Sequence, residues 1–266
     1  MTVRSRLVPA LLIALAVAGC GGDDGSGDAP VRNVDRPDPP TRPSAEECAA
    51  VGRVAGGGES RAELVAPPGE YRFRTEGTQT LEGRSQPLPH ETRLIVTPAR
   101  AAGALRCYRV QRLYSPRFGD TALAAVAGSS AYASEFVSQG GGQRAEFRLS
   151  PPIPLDTNEP SGSGTFNGTL EAQRGSVSFE GPASGRYRSD FAGRRTITVA
   201  GRDVRAVGVR LTLAMAGGEV KATEESERWV SDDNVLVEET VTQTRAIAGE
   251  RFRMRYHAEL KSLDPG

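Results

Sequence analysis

The chain has almost no lysine, three cysteines and only two histidines. Lys221 and Lys261 are its only lysines, so arginine supplies nearly all of the positive charge, a bias typical of a GC-rich genome. An arginine-rich face is therefore weak evidence for phosphate binding in this protein. The 33 basic residues are balanced by 33 acidic residues, and this balance argues against a nucleic-acid partner.

Histidine and cysteine are too scarce and too scattered for the common sites that use them. His90 lies in a proline-flanked segment, His257 lies on the charged face of a predicted strand, and neither has a triad partner nearby. The cysteines and histidines also lack metal-ligand spacing. We therefore expect no catalytic residues, no metal and no cofactor, and a protein that is not an enzyme.

The N-terminus has the features of a secretion signal. Arg4 and Arg6 precede an apolar run from Leu7 to Val17, which is shorter than the roughly 20 residues of a membrane-spanning helix. The run ends in Val17-Ala18-Gly19-Cys20, which resembles the lipobox of bacterial lipoproteins. The resemblance implies cleavage before Cys20 and attachment of a diacylglyceryl group, with palmitate-type chains, to its thiol. We expect residues 1–19 to be a signal peptide and the mature protein to be anchored on the extracytoplasmic side of the cell membrane.

The residues after Cys20 divide into a tether and a folded domain. Residues 20–43 are rich in Gly, Asp, Pro and Ser and have almost no apolar side chains, which predicts a lipidated, disordered tether. Ser44 and Glu47 have the spacing of a capping box and predict a short helix that opens a domain spanning residues 44–266. Cys48 and Cys107 remain as a pair in an oxidising compartment, so a disulfide between them is expected, with two buried free thiols as the alternative.

Alternation of apolar and charged residues dominates the chain from Tyr71 to Leu260 and predicts half-buried strands. Turn signals at 217–218, 232–234 and 248–249 have the spacing of an antiparallel meander. We therefore expect a mainly β fold, with a curved antiparallel sheet that forms a half-barrel or two packed sheets, and one or two short helices. Asp120–Ala127 is the second helix candidate, and residues 150–164 are a long loop or a linker between two halves.

One predicted hairpin contains a cluster of glutamates and the single tryptophan. The glutamates could form a site for a hard cation, but cross-strand ion pairing with neighbouring arginines is the favoured interpretation. Trp229 ends a strand of this hairpin and is interpreted as a core residue. The glutamates are Glu224, Glu225, Glu227, Glu238 and Glu239, and the arginines are Arg228, Arg245, Arg251, Arg253 and Arg255.

Four segments resemble a family of actinobacterial lipoproteins, over most of residues 67–262. They are Pro67 to Gly77, the stretch from Thr196 to Arg210, Glu227-Arg-Trp229 with a hairpin into Val237-Glu-Glu, and the final Tyr256 to Leu260. More distantly, the hairpin around Trp229 resembles half-barrel envelope proteins such as the lipoprotein carriers and the mycobacterial lipid-binding lipoproteins. The resemblance implies a curved sheet that holds acyl chains on its concave face, although this chain offers fewer helices to cover such a cavity.

Two functions follow as hypotheses. The first is a lipoprotein that binds a lipophilic molecule on an apolar sheet face. Its candidate lining residues, all of which serve equally well as core, are Tyr71, Phe73, Val209, Leu211, Leu213, Phe252, Met254 and Tyr256. The second is a structural or assembly lipoprotein of the cell envelope, whose sheet packs on itself and whose Arg/Glu surface contacts another envelope protein.

Overall fold

The computed structural model of the protein describes residues 37–39, 41–48, 66–81, 83–98, 106–127, 130–140, 142–154, 161–174, 177–247 and 249–266. Within these ranges the protein is nearly all β, with thirteen strands in one antiparallel sheet, and helical structure is limited to residues 45–48. The strands are β1 (Gly69–Leu81), β2 (Arg84–Pro87), β3 (Glu91–Pro98), β4 (Arg106–Ser115), β5 (Phe118–Ala127), β6 (Ser130–Gly140), β7 (Gln143–Pro154), β8 (Gly162–Arg174), β9 (Val177–Val199), β10 (Arg202–Gly217), β11 (Val220–Ser231), β12 (Leu236–Ile247) and β13 (Glu250–Leu260).

The sheet closes on itself to form a barrel. From β3 to β13 each strand pairs with the next one in the chain, and β1 pairs with both β3 and β13. Phe73 of β1 lies opposite Thr92 on one side and Leu260 on the other. The strand β2 pairs only with the end of β1 and stays outside the ring, so twelve strands form the barrel wall.

The barrel has two ends. We call the end with the turns after β1, β4, β6, β8, β10 and β12 the hairpin end. The other end, which we call the C-terminal end, carries the turns after β9 and β11 and the last residues of the chain, 261–266. The long β10–β11 ladder runs between the two ends, from Gly217 opposite Val220 at the hairpin end to Ala206 opposite Ser231 at the C-terminal end.

The alternation seen in the sequence separates the inside of the barrel from the outside. Phe252, Met254, Tyr256, Ala258 and Leu260 of β13 are all buried, because alternate side chains of a strand point to the same face of the sheet. Aromatic rings fill part of the interior and contact one another across it; the Tyr114 ring lies 5.1 Å from Phe118 and 5.6 Å from Tyr256. The predicted curved antiparallel sheet is confirmed, and its curvature continues to full closure.

The second predicted helix is wrong. Asp120–Ala127 lies in β5, which pairs with β4 and β6 along its length. Alanine favours a helix in isolation, but here the small side chains suit an interior crowded by larger neighbours, and Ala122 lies opposite both Val110 and Phe136. Residues 150–164 include the end of β7 and the start of β8, and these neighbouring strands pair in the same sheet.

The segment before β1 packs along the outside of the barrel. Ser44 and Glu47 form the predicted capping box, since the backbone N–H of Glu47 donates to Ser44 Oγ at 3.1 Å and that of Ser44 donates to Glu47 Oε2. Cys48 and Cys107 form a disulfide, with their Cα atoms 5.7 Å apart. Asp38 also contacts the wall, because its carbonyl accepts from Gln111 Nε2 at 2.7 Å. Residues near 38, which the composition assigns to the tether, therefore lie on the outer face near the hairpin end.

Candidate functional site

The proposed ligand-lining residues all lie on the inner face of the barrel. None of the eight is more than 4% exposed, and six of them belong to the main hydrophobic core. Val209 and Leu211 of β10 are also buried but lie outside that cluster. The eight are Tyr71, Phe73, Val209, Leu211, Leu213, Phe252, Met254 and Tyr256. The structure therefore places these side chains together as interior packing.

The interior also contains a group of buried ionised residues, which we call the buried charge cluster. It consists of three arginines and three carboxylates, so its formal charges cancel. Each member is no more than 3% exposed. Isolated charges are rarely buried, because removing them from water costs several kcal/mol each unless they are paired. The members are Arg112, Arg228, Arg245, Asp120, Glu224 and Glu239.

Arg228 of β11 is central to one half of the cluster. Its Nη2 donates to Glu224 Oε1 at 2.7 Å, and its Nε donates to Glu239 Oε2 at 3.4 Å. Glu239 also lies 2.5 Å from Arg112 Nη2 and accepts from the Tyr256 hydroxyl at 3.1 Å. The Arg112 guanidinium lies 4.2 Å from the centre of the Phe73 ring. Five strands, β1, β4, β11, β12 and β13, are thus joined by one carboxylate and the two arginines beside it.

The other half of the cluster surrounds Arg245 of β12. Arg245 donates to Ser138 Oγ at 3.2 Å and to Gln243 Oε1 at 3.3 Å. Gln243 in turn donates to Glu224 Oε2 at 2.9 Å, which links this half to Arg228. Since Ser138 lies on β6, these bonds cross the barrel interior from β12 to the opposite wall. They hold distant strands together without closing a covalent loop.

Burial and pairing shift the pKa values of the cluster in different directions. Burial raises the pKa of Asp120 to about 6, although the positive charge of Arg245 opposes this shift. Burial lowers the pKa of Arg245 to about 10. Burial would also lower the pKa of Arg228, but the charges of Glu224 and Glu239 outweigh it and raise that pKa. Asp120 therefore gains a proton as the pH falls through about 6.

The remaining glutamates of the predicted acidic hairpin lie on the outer face. Glu238 is paired with Arg195 at 2.6 Å, and Glu227 is paired with Arg210 at 2.9 Å. The predicted ion pairing is confirmed for Arg228. It is wrong for the Arg251, Arg253 and Arg255 row, because none of the five glutamates, all of whose side chains are described, forms an ion pair with these arginines. Glutamates of one hairpin divide between inside and outside because alternate residues face opposite ways.

Trp229 is buried as predicted, but it lies on the outer face. It sits opposite Gly208 of β10, where a larger side chain would collide with the indole. The Arg195 guanidinium covers the ring, and the indole N–H donates to Glu227 Oε1 at 3.0 Å. Trp229 belongs to the main hydrophobic cluster, which confirms the predicted core residue, and Arg195 and Glu227 cover it on the outer side.

The two histidines lie apart from the buried charge cluster. His90 is exposed, and His257 contacts Thr240 and Glu259 on the outer face. Across the described ranges no three potential His, Cys, Asp or Glu ligands are grouped to hold a metal ion. No helix in the same ranges is long and apolar enough to cross a membrane. Cys20, the predicted lipidation site, lies outside the described residues.

The sequence analysis did not place three members of the buried charge cluster in the interior. Arg112 was not named, Asp120 appeared only as the first residue of a helix candidate, and Arg245 appeared only as a cross-strand ion-pair partner. The sequence does contain a signal for Arg112. This residue follows the every-second-residue spacing of the buried Tyr108, Val110 and Tyr114 along β4, so it lies on the same face of the strand as these residues. A charged residue in register with an apolar row indicates an inward-facing charge when its strand is buried.

The fold and this interior define a closed antiparallel β-barrel with a paired charge cluster in its core. Two solved structures show limited similarity to it. A protein with a YmcC-like fold from Bacteroides fragilis NCTC 9343 aligns with a TM-score of 0.39 and 9% identity, covering 74% of this chain and 96% of that one. The hypothetical lipoprotein YmcC from Escherichia coli (K12) aligns with a TM-score of 0.35 and 12% identity, covering 85% and 98%. No protein-family model and no curated protein matches the chain.

Proposed function

We propose that the protein is a lipoprotein anchored through Cys20 on the extracytoplasmic side of the cell membrane, where its barrel acts through its outer surface in contact with another envelope component. The anchor is supported by the basic start, the short apolar run and the Val17-Ala18-Gly19-Cys20 motif. The resemblance to actinobacterial lipoproteins is part of the same proposal. Two acyl chains on one cysteine suffice for stable anchoring.

We assign the function to the outer surface because the interior of the barrel is packed with side chains. Side chains from around the wall meet inside the barrel, and the buried charge cluster occupies space that an acyl chain would need. Binding a lipid there would separate Arg112 of β4 from Glu239 of β12, which meet across the interior, and an unpaired buried charge is costly. The function best supported is therefore a structural or assembly role that requires no interior ligand and no catalysis.

Native mass spectrometry of the mature protein, purified from membranes and followed by lipid extraction, tests this proposal. We expect one diacylglyceryl-modified species and no second, non-covalent lipid. We also expect in-cell crosslinking to give one reproducible envelope partner, lost when outer-face Arg/Glu pairs such as Arg210–Glu227 are reversed in charge. A lipid that stays bound through purification would contradict the proposal, and so would turnover on an ester, peptide or glycoside panel that one substitution abolishes.

Binding of a lipophilic molecule remains the second candidate because of one feature near the C-terminal end. Phe191 is 41% exposed, the one large apolar side chain exposed to this degree among the described residues. It lies opposite the buried Val209 and shares its face of the sheet. An apolar ligand could extend from Phe191 towards Val209 and Leu211. Replacement of Phe191 by Ser would then release a co-purifying lipid, whereas replacement of the outer-face Trp229 by Phe would retain it.

A further inference from the structure

The path of the N-terminal segment indicates which end of the barrel lies closest to the membrane. Cys48 is held at the start of β4 by Cys107, which is at the C-terminal end. From there the chain runs back along the outer face. Arg109 donates to Glu47 and contacts Thr41, and Arg144 next to the β6–β7 turn donates to Asp38 at 2.9 Å.

Only sixteen residues separate Asp38 and its neighbour Pro37 from Cys20. A flexible chain of this length has an average reach of about 20 to 25 Å. A barrel wall of about ten residues per strand is itself about 30 Å long before tilting. The hairpin end can thus approach the membrane while the tether keeps its average end-to-end length. For the C-terminal end to do so, the tether would have to stretch along the whole length of the barrel.

The two ends differ in how their cations are paired. At the C-terminal end Arg205 pairs with Asp232 at 2.8 Å, Lys261 with Glu91 at 2.7 Å and Arg202 with Asp264 at 3.8 Å. At the hairpin end five exposed cations have no ion pair with any carboxylate whose side chain the structure describes. They are Arg84, Arg117, Lys221, Arg251 and Arg253.

Acidic residues at the hairpin end only partly offset these charges. Glu219 lies in the β10–β11 turn, and Glu250 begins β13 next to the β12–β13 turn. Arg144 is already paired with Asp38 and Glu146. The end therefore has an excess of positive charge in a protein whose formal charge is zero overall. Phosphate groups of anionic lipids attract such clusters within a Debye length of the membrane surface.

From the tether path and the excess of cations at this end, we propose that the hairpin end of the barrel docks onto the anionic phospholipid surface of the membrane. Docking would fix the orientation of the barrel and turn the C-terminal end, with Phe191 and Trp229 beside it, away from the lipid. Any partner in the envelope would then meet the C-terminal end or the sides of the barrel. This inference rests on the proposed anchor for its geometry, but its charge argument does not need the acyl chains.

The test uses the full chain with Cys20→Ala, which cannot be acylated, in flotation with vesicles at low ionic strength. We expect binding to phosphatidylcholine vesicles that contain phosphatidylglycerol and none to phosphatidylcholine alone. The triple variant Arg84→Gln, Arg117→Gln, Arg251→Gln should lower the bound-to-free ratio about a hundredfold, because each cation near an anionic surface contributes roughly a factor of five. The matched variant Arg202→Gln, Arg205→Gln, Lys261→Gln should stay within about twofold, because these cations lie at the far end.

Failure of the docking proposal can be told apart from failure of the anchor. No binding to phosphatidylglycerol vesicles, or an equal loss in both triple variants, would overturn the docking proposal and leave the anchor standing. A mature protein without a diacylglyceryl group on Cys20 would overturn the anchor and leave the vesicle result unchanged. Thermal unfolding of both triple variants checks that each is folded. If the hairpin-end triple variant were unfolded, single substitutions of Arg84 and Arg251 would take its place.

Discussion

The guanidinium of Arg195 lies 4.0 Å from the centre of the Trp229 indole ring. Arg195 belongs to β9 and Trp229 to β11, so the contact crosses the intervening strand β10 at Gly208, which has no side chain to block it. The same guanidinium is paired with Glu238 of β12 at 2.6 Å. One arginine therefore covers a large apolar ring on the outer face and links β9 to β11 and β12 across β10.

Replacing Arg195 with Ala should expose the Trp229 indole to water. Because Trp229 is the only tryptophan, its fluorescence reports on this site alone. We expect the emission to shift to longer wavelength, acrylamide quenching to increase, and the free energy of unfolding to fall by about 1 kcal/mol as the cation–π contact is lost. Arg205→Ala, which removes an exposed arginine paired with Asp232, is the control. Identical spectra for the two variants would contradict the arrangement.

Replacing Glu239 with Gln should destabilise the barrel strongly. Glu239 is the carboxylate shared by Arg112 and Arg228, and neutralising it leaves buried positive charge uncompensated. Removing one partner of a buried ion pair costs about 3–5 kcal/mol. The exposed pair of Glu259 with Arg74 gives the control, because Glu259→Gln should cost less than about 1 kcal/mol. Chemical denaturation of both variants gives the comparison, and similar midpoints would show that Glu239 is not central to the core.

The local parts of the fold could be predicted because their signals lie within a few residues. The alternation over Phe252 to Leu260 predicts β13, and Ser44 with Glu47 predicts the capping box. The pairing of Cys48 with Cys107 followed from counting the cysteines in an oxidising compartment. Each of these inferences depends on the period of a strand, the geometry of a helix terminus or the chemistry of a thiol, and not on the arrangement of distant strands.

Closure of the barrel and the buried charge cluster could not be predicted in this way. Closure depends on β1 pairing with β13, which brings Phe73 opposite Leu260 across most of the chain. Arg112 and Glu239 lie on β4 and β12 and meet only once the sheet is closed. The sequence of Asp120–Ala127 likewise contains no information about β4 and β6, the neighbouring strands that hold this segment in the sheet.

Removing the disulfide should destabilise the folded barrel and release the N-terminal segment. The bond closes a loop with a sequence separation of 59 residues, for which the chain-entropy model gives about 4 kcal/mol as an upper figure. We expect the Cys48→Ser, Cys107→Ser double variant to unfold at lower denaturant and to be cleaved faster by protease before residue 66. A reducing agent should reproduce this change in the unsubstituted protein and have no effect on the variant. An unchanged unfolding midpoint would contradict this prediction.

Asp120 should make the stability of the protein depend on pH in a direction opposite to that of most carboxylates. Its pKa is raised from 3.8 to about 6 in the folded state, so the folded protein binds the proton more tightly than the unfolded chain does. Its contribution is fully present below about pH 4 and is lost as the pH rises through about 6, with a span of about 3 kcal/mol. Asp120→Asn cannot titrate, so the stability of the unsubstituted protein should fall relative to this variant between pH 4 and pH 7.

Urea denaturation at several pH values between these limits measures the difference directly. The exposed Asp232, which pairs with Arg205 on the outer face, gives the matched control, and Asp232→Asn should follow the unsubstituted protein across the range. Parallel stability curves for the unsubstituted protein and Asp120→Asn would mean that Asp120 stays ionised throughout, because Arg245 would then offset the effect of burial in full. A relative fall confined to Asp120 would instead mean that burial outweighs Arg245 and that this half of the buried charge cluster changes its net charge near neutral pH.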